Sequence, residues 1–137
     1  MGCCFIKRGS KRTKPIYDGI QFDSKAEVRD YKYIMEHPNI EIIEFEPFFL
    51  LEEPFTYFCL EKGKERKYGK FSYKADFLLK VEGLDKLVVW ETKGRPKPDY
   101  MIRKKLWYKK YGDEYYFVQI HSSKQSKEIF DKYKEEL

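Results

Sequence analysis

Two carboxylates and a lysine open the chemical question. Asp76 lies in Phe71-Ser-Tyr-Lys-Ala-Asp76-Phe-Leu-Leu-Lys-Val81, and Glu91 and Lys93 lie in Leu87-Val-Val-Trp-Glu91-Thr-Lys93-Gly94, across a short polar break. As a β-hairpin, these segments alternate their side chains between faces. Glu91 and Lys93 then point the same way, and Asp76 falls on the polar face of the partner strand with Ser72, Lys74 and Lys80. Two carboxylates converging with an ammonium suit a hard divalent cation such as Mg²⁺, which takes a few carboxylate oxygens and keeps several waters. A nearby lysine can orient or deprotonate an attacking water. The chemistry to expect is phosphodiester hydrolysis.

Context separates this Glu-x-Lys from a second one, Glu65-Arg66-Lys67, which sits in the polar run Glu61 to Gly69. Glu91 follows Leu87, Val88, Val89 and Trp90, an apolar run of the kind found in strands buried on both faces. Asp76 alone is weaker evidence. The alternation of Phe71, Tyr73, Ala75, Phe77, Leu79 and Val81 would place it on a solvated face with no role required.

A third acid comes from Glu27, in a predicted helix whose apolar stripe is Val28, Tyr31, Ile34 and Met35 and whose N-cap is Asp23 or Ser24. Ser24 with Glu27 three residues later is also a capping box, and on local sequence alone the capping role outweighs a metal role. A helix N-terminus favours a carboxylate in either case.

The order of these elements, a helix with Glu27, a strand with Ala75-Asp76-Phe77 and a strand with Glu91-Thr92-Lys93-Gly94, resembles the PD-(D/E)XK nuclease superfamily. More narrowly, Phe22 to Glu27, Ile43 to Pro47, Ala75 to Leu79 and Trp90 to Gly94 resemble small phage endonucleases, including those that resolve Holliday junctions; the similarity covers roughly positions 15 to 120. The resemblance implies a restriction-endonuclease-like αβββαβ core, an α/β fold with a mixed central sheet flanked by helices. It implies metal ligation by Asp76 and Glu91, assistance from Glu27, the Thr92 carbonyl as an extra ligand, and Lys93 acting on the water. Mg²⁺ would be the cofactor, replaceable by Mn²⁺, with no organic cofactor. Branched DNA cut by a homodimer, leaving a 5′ phosphate and a 3′ hydroxyl, would be the reaction. One departure stands out: the family's proline before the aspartate is Ala75 here, a change that strand backbone should tolerate.

With 137 residues, the chain suits one domain, and 12 Tyr, 11 Phe and 2 Trp supply much of the apolar volume for a core. No apolar run is long enough to span a bilayer, and the N-terminus turns basic by Lys7, so a cytoplasmic enzyme without membrane association is expected. Cys3, Cys4 and Cys59 show no CxxC spacing, which argues against zinc and against a disulfide framework. Met1-Gly2-Cys3-Cys4 carries Ile6 where a myristoylation signal wants Ser or Thr.

Charge is unevenly placed. Residues 1–14 hold Lys7, Arg8, Lys11, Arg12 and Lys14 and no acid, whereas the other 123 residues balance 23 cations against 23 acids. This segment reads as a flexible basic tail preceding a single domain over 15–137, able to reach phosphates. A second basic block runs from Lys93 through Arg95, Lys97, Arg103, Lys104, Lys105, Lys109 and Lys110, opposed only by Asp99. Pro98 and Asp99 start a helix there, Ile102 and Leu106 form an i,i+4 apolar pair, Tyr100, Trp107, Tyr108 and Tyr111 read as packing side chains rather than base-stacking ones, and Gly112 stops it. Its cations can contact DNA beside the acids, because carboxylates repel a polyanion unless metals and flanking cations outweigh them.

Ile40 to Phe45, Phe55 to Leu60 and Tyr115 to Ile120 read as strands and residues 124–136 as a terminal helix; His37 and His121 read as surface histidines. Two other functions fit the same residues. One is a nuclease of this fold acting on duplex or single-stranded nucleic acid, of nicking, restriction or transposition type. The other is a non-catalytic DNA-binding module.

Overall fold

The computed structural model describes residues 13–92, 96–121 and Glu128. The expected terminal helix over 124–136 falls outside these except at Glu128, as do most of the basic tail and residues 93–95.

The described residues begin with a miniature hairpin, β1 (Ile16–Tyr17) and β2 (Ile20–Gln21). Asp18 and Gly19 form its two-residue loop with φ of 57° and 77°, the left-handed pair that matches strand twist. Helix α1 (Lys25–Met35) follows, then β3 (Ile40–Phe45), β4 (Phe48–Glu52), β5 (Phe55–Cys59), β6 (Lys64–Tyr68), β7 (Phe71–Lys74), β8 (Phe77–Val81), β9 (Leu87–Thr92), α2 (Pro98–Tyr111) and β10 (Tyr115–Ile120). Among the described residues no helix is long and apolar enough to cross a membrane.

The architecture is mixed α/β. The central sheet runs β10-β9-β8-β3, with β10 parallel to β9 and the other neighbours antiparallel. Parallel β9 and β10 require a crossover, which α2 supplies. The predicted burial of β9 on both faces is observed. Val88 and Trp90 pack with Phe22, Tyr31 and Ile34 in the α1 layer, and Val89 packs with Tyr73, Tyr100 and Trp107 in the α2 layer.

Helix α1 starts as its sequence predicts, with Ser24 in extended conformation at the N-cap accepting from the Glu27 N–H at 3.2 Å. Its buried face is broader than the apolar stripe implied. Tyr31 and Ile34 are inside, joined by Tyr33 and Asp30, while Met35 is exposed. Helix α2 is bounded by Pro98 and Gly112 as expected and packs through its aromatic side chains, but the apolar pair does not face inward. Ile102 and Leu106 face solvent, and the residues buried are Tyr100 and Trp107. The aromatic wall of Phe49, Tyr73 and Phe117 explains the choice, because large rings bury more area against rings than aliphatic side chains would.

The predicted hairpin is present only in part. β8 pairs with β9, but Phe71–Lys74 instead pairs with β4. Strict alternation would put Tyr73, Ala75, Phe77, Leu79 and Val81 on one face. In the fold, Tyr73 and Ala75 face the α2 layer, whereas Phe77, Leu79 and Val81 face the α1 layer. The phase therefore switches at Asp76. Opposite it, β3 and β4 break at Glu46-Pro47, where Glu46 adopts φ 49°. The two corners are tied together: the Glu46 N–H donates to the Asp76 carbonyl at 3.0 Å and the Ala75 N–H to the Pro47 carbonyl at 3.2 Å, while the Asp76 N–H donates to the Trp90 carbonyl at 3.1 Å. A proline in place of Ala75 could not make the second bond.

Candidate active site

The backbone corner decides where Asp76 points. Rather than lying on a solvated face, its carboxylate is partly buried at the end of the sheet, and its Oδ2 accepts from the Thr92 N–H at 2.7 Å. Thr92 is the residue after Glu91, so one hydrogen bond fixes the two acid-bearing segments to each other. Glu91 alternates with Leu87 and Val89 toward the α2 layer and is 5% exposed. Glu27 approaches from α1. Asp76 thus lies beside Glu91 across the β8–β9 pairing, and Glu27 is near enough to act on it electrostatically.

The electrostatics follow from that crowding. Burial, and then the negative charge of Glu91, push the Asp76 carboxyl up to about 8. Burial, followed by the charge of Asp76, likewise raises Glu27 to about 8. Both shifts disfavour the ionised form, as expected of partly buried acids that sit beside one another. Among the described residues, no group of three or more His, Cys, Asp and Glu side chains is arranged so that it could hold a metal ion. The donor set is nonetheless all carboxylate oxygen, the kind a hard divalent cation takes.

Glu27 also caps its helix. Its Oε2 accepts from the Asp23 N–H at 3.1 Å, one residue earlier than in the predicted capping box. Capping and proximity to Asp76 coexist. Lys93 lies outside the described residues, so the structure joins Asp76 to Glu91 but does not place the lysine.

A cavity of about 370 Å³ opens on the α2 side of Glu91. Lys70, Lys74 and Arg103 line it together with two acids, Glu91 and Asp99, whereas Asp76 and Glu27 lie outside its lining. Arg103 is held in place by its Nη1, which donates to the Ser72 carbonyl at 3.2 Å, and by stacking over Phe71. Tyr73 Oη is buried near Glu91 and makes no hydrogen bond in this conformation. Burial and then Glu91 push its phenol far upward, so it stays a neutral donor.

The predicted basic residues separate into groups. Arg103 joins the acid cavity. Lys104 and Lys105 line a neighbouring hollow of about 310 Å³, where Lys104 Nζ donates to Gln119 Oε1 at 2.8 Å. Lys97, at the N-cap of α2, and Lys109 and Lys110, in its last turn, are exposed. Lys14, placed by its sequence in a free tail, pairs with Asp23 at 3.0 Å. Lys7, Arg8, Lys11, Arg12 and Arg95 lie outside the described residues. Residues 7–128 match the family described as protein of unknown function, DUF1064. The chain belongs to the DUF1064 family. Neither the curated proteins nor the solved structures include a match to this DUF1064 chain.

Sequence reasoning missed Asp30, a carboxylate with 0% exposure in the α1 layer of this DUF1064 chain. Its Oδ2 accepts from Trp90 Nε1 at 3.0 Å and from Thr92 Oγ1 at 2.6 Å, and its Oδ1 pairs with Arg29 Nε at 3.3 Å. The available signal was Trp90 and Thr92, two donors on the same face of one strand, which require a buried acceptor. Lys70 and Lys74 were missed because they flank a strand whose turn toward β4 is not local information.

Proposed function

We propose that this DUF1064 protein is a divalent-metal-dependent endonuclease of the PD-(D/E)XK type, with branched DNA as its target. The observation that supports the reading is the hydrogen-bonded placement of Asp76 against the strand that carries Glu91, with Glu27 nearby, at a kinked strand end beside a cavity whose lining mixes Lys70, Lys74 and Arg103 with Glu91 and Asp99. The branched target, and a homodimer able to cut two opposed strands, come from the resemblance of the acid-bearing motifs to phage junction resolvases.

Asp76 and Glu91 would hold Mg²⁺ or Mn²⁺, which supplies charge stabilisation at the phosphorus and activation of water. The protein's own groups prepare the place. The Thr92 N–H fixes the Asp76 carboxylate, so little reorganisation is needed when substrate arrives. Glu27 adds negative charge from the opposite side while anchored to its helix start. Arg103, Lys70 and Lys74 offset the charge of the approaching phosphodiester. Lys93, two residues beyond Glu91, is assigned the water by its sequence position.

The direct test is a cleavage panel of four-way junction, splayed arm and linear duplex, with and without Mg²⁺. The junction should be cut only with metal, and Asp76→Asn should still bind it while failing to cut. Equal cleavage by parent and variant would remove Asp76 from the reaction.

A further inference from the structure

The ribbon formed by β5 and β6 stands apart from both core layers. Every residue of β6 and the first four of β5 are exposed, and no ribbon residue belongs to either buried cluster. A two-stranded ribbon is marginal in water by itself. This one is clasped by its own rings. Phe55 lies opposite Tyr68, their centroids 5.6 Å apart, and Tyr57 stacks on Tyr68 at 5.1 Å with 16° between planes.

Register fixes what else shares that face. Tyr57 pairs with Arg66 and Cys59 with Lys64, so the three rings run directly into two cations. Phe55 remains 50% and Tyr68 58% exposed despite their stacking. From Phe55 to Lys70 there are five cations, Lys62, Lys64, Arg66, Lys67 and Lys70, against Glu61 and Glu65, a net +3. The ribbon is also continuous with the acid cavity. Its second strand leads through Lys70 into Phe71, Ser72 and Tyr73, all of which line that cavity.

We infer that the aromatic-cationic face of this ribbon binds unpaired nucleotides of a nucleic-acid strand whose phosphodiester enters the acid cavity. Exposed rings interleaved with cations accept bases of any sequence by stacking, while the cations follow the backbone. The ribbon would then select single-stranded or opened segments next to the cut. This inference rests on the nucleic-acid reading above.

Metal-free binding of oligo(dT) separates it from the cleavage question. Both native tryptophans, Trp90 and Trp107, are buried, so Tyr57→Trp places a single exposed reporter on the face. Its emission should quench on adding oligo(dT). Tyr57→Leu and Tyr68→Leu, which keep an apolar side chain in the clasp but offer no ring to a base, should each weaken binding about tenfold while leaving the melting temperature of the two core layers unchanged, with Phe58→Ala on the opposite face as the neutral control. A Tyr57→Trp signal indifferent to saturating oligo(dT) would overturn the inference. So would a parent that sediments as a dimer and becomes monomeric in Phe55→Ser/Tyr68→Ser with oligonucleotide affinity unchanged, since a second copy would then cover the face. A chain that binds through the ribbon yet cuts nothing supports this inference while sinking the nuclease proposal.

Discussion

Glu27 and Asp30 stand one turn apart on α1, and their surroundings are opposite. Asp30 is completely enclosed but meets only donors: an indole N–H, a hydroxyl and a guanidinium. Glu27 is less enclosed, yet it meets another carboxylate, Asp76, which in turn meets Glu91. A buried acid ringed by donors is a structural clamp, here locking α1 to β9. Buried acids that face one another are costly to keep ionised, and they are tolerated where an outside cation can join them. Burial alone therefore does not single out a site; the sign of the neighbours does.

The sharpest way to break this contrast is to neutralise one member of each group. Asp76→Asn should lower metal-dependent cleavage by roughly 10²-fold or more, as losing about 3 kcal/mol of charge stabilisation implies, with little loss of fold. Single-turnover kinetics on the preferred substrate measures it. Asp30→Ala should do the reverse, costing about 3 kcal/mol of stability in urea unfolding because Trp90 and Thr92 are left as buried unpaired donors. If Asp30→Ala folds normally and loses cleavage, the two acids have been assigned the wrong way round.

Proton linkage sharpens the comparison further. The folded-state values near 8 for Glu27 and Asp76 exceed their ordinary values of 4.5 and 3.8, so between these limits the folded chain binds more protons than the unfolded one. Their contribution to metal-free stability should be complete below pH 4 and lost as the pH rises through about 8. Mg²⁺ should restore melting temperature more at pH 8 than at pH 5. A melting temperature insensitive to both variables would mean that the acids do not share a pocket. The smallest effect is expected from Glu27→Gln: metal affinity, read by titration calorimetry, should fall about tenfold while the Asp23 and Ser24 cap persists and stability hardly changes.

Much of the frame around the candidate site was legible because its parts are local. Ser24 caps α1, Pro98 and Gly112 bound α2, and the apolar run before Glu91 marks a strand buried on both faces. What stayed hidden depends on partners distant in sequence. Asp76 left the solvated face because Glu46 and Pro47 bend the neighbouring strands, and period-two counting along one strand carries no trace of that. Tyr100 and Trp107 displaced Ile102 and Leu106 because Phe49, Tyr73 and Phe117 await them. Lys64–Tyr68, a charged run without an apolar period, became a strand only by pairing with Phe55–Cys59.

The corner at Asp76 also makes this part of the chain intolerant of changes in length. Tyr73 and Ala75 serve one layer and Phe77, Leu79 and Val81 the other, with one residue between the two sets. Deleting or inserting a single amino acid beside Asp76 would turn every downstream side chain of β8 toward the wrong helix and pull the acid off its Thr92 anchor. Natural length variation in this stretch should therefore concentrate at the exposed β5–β6 turn around Gly63, where an added residue displaces nothing buried.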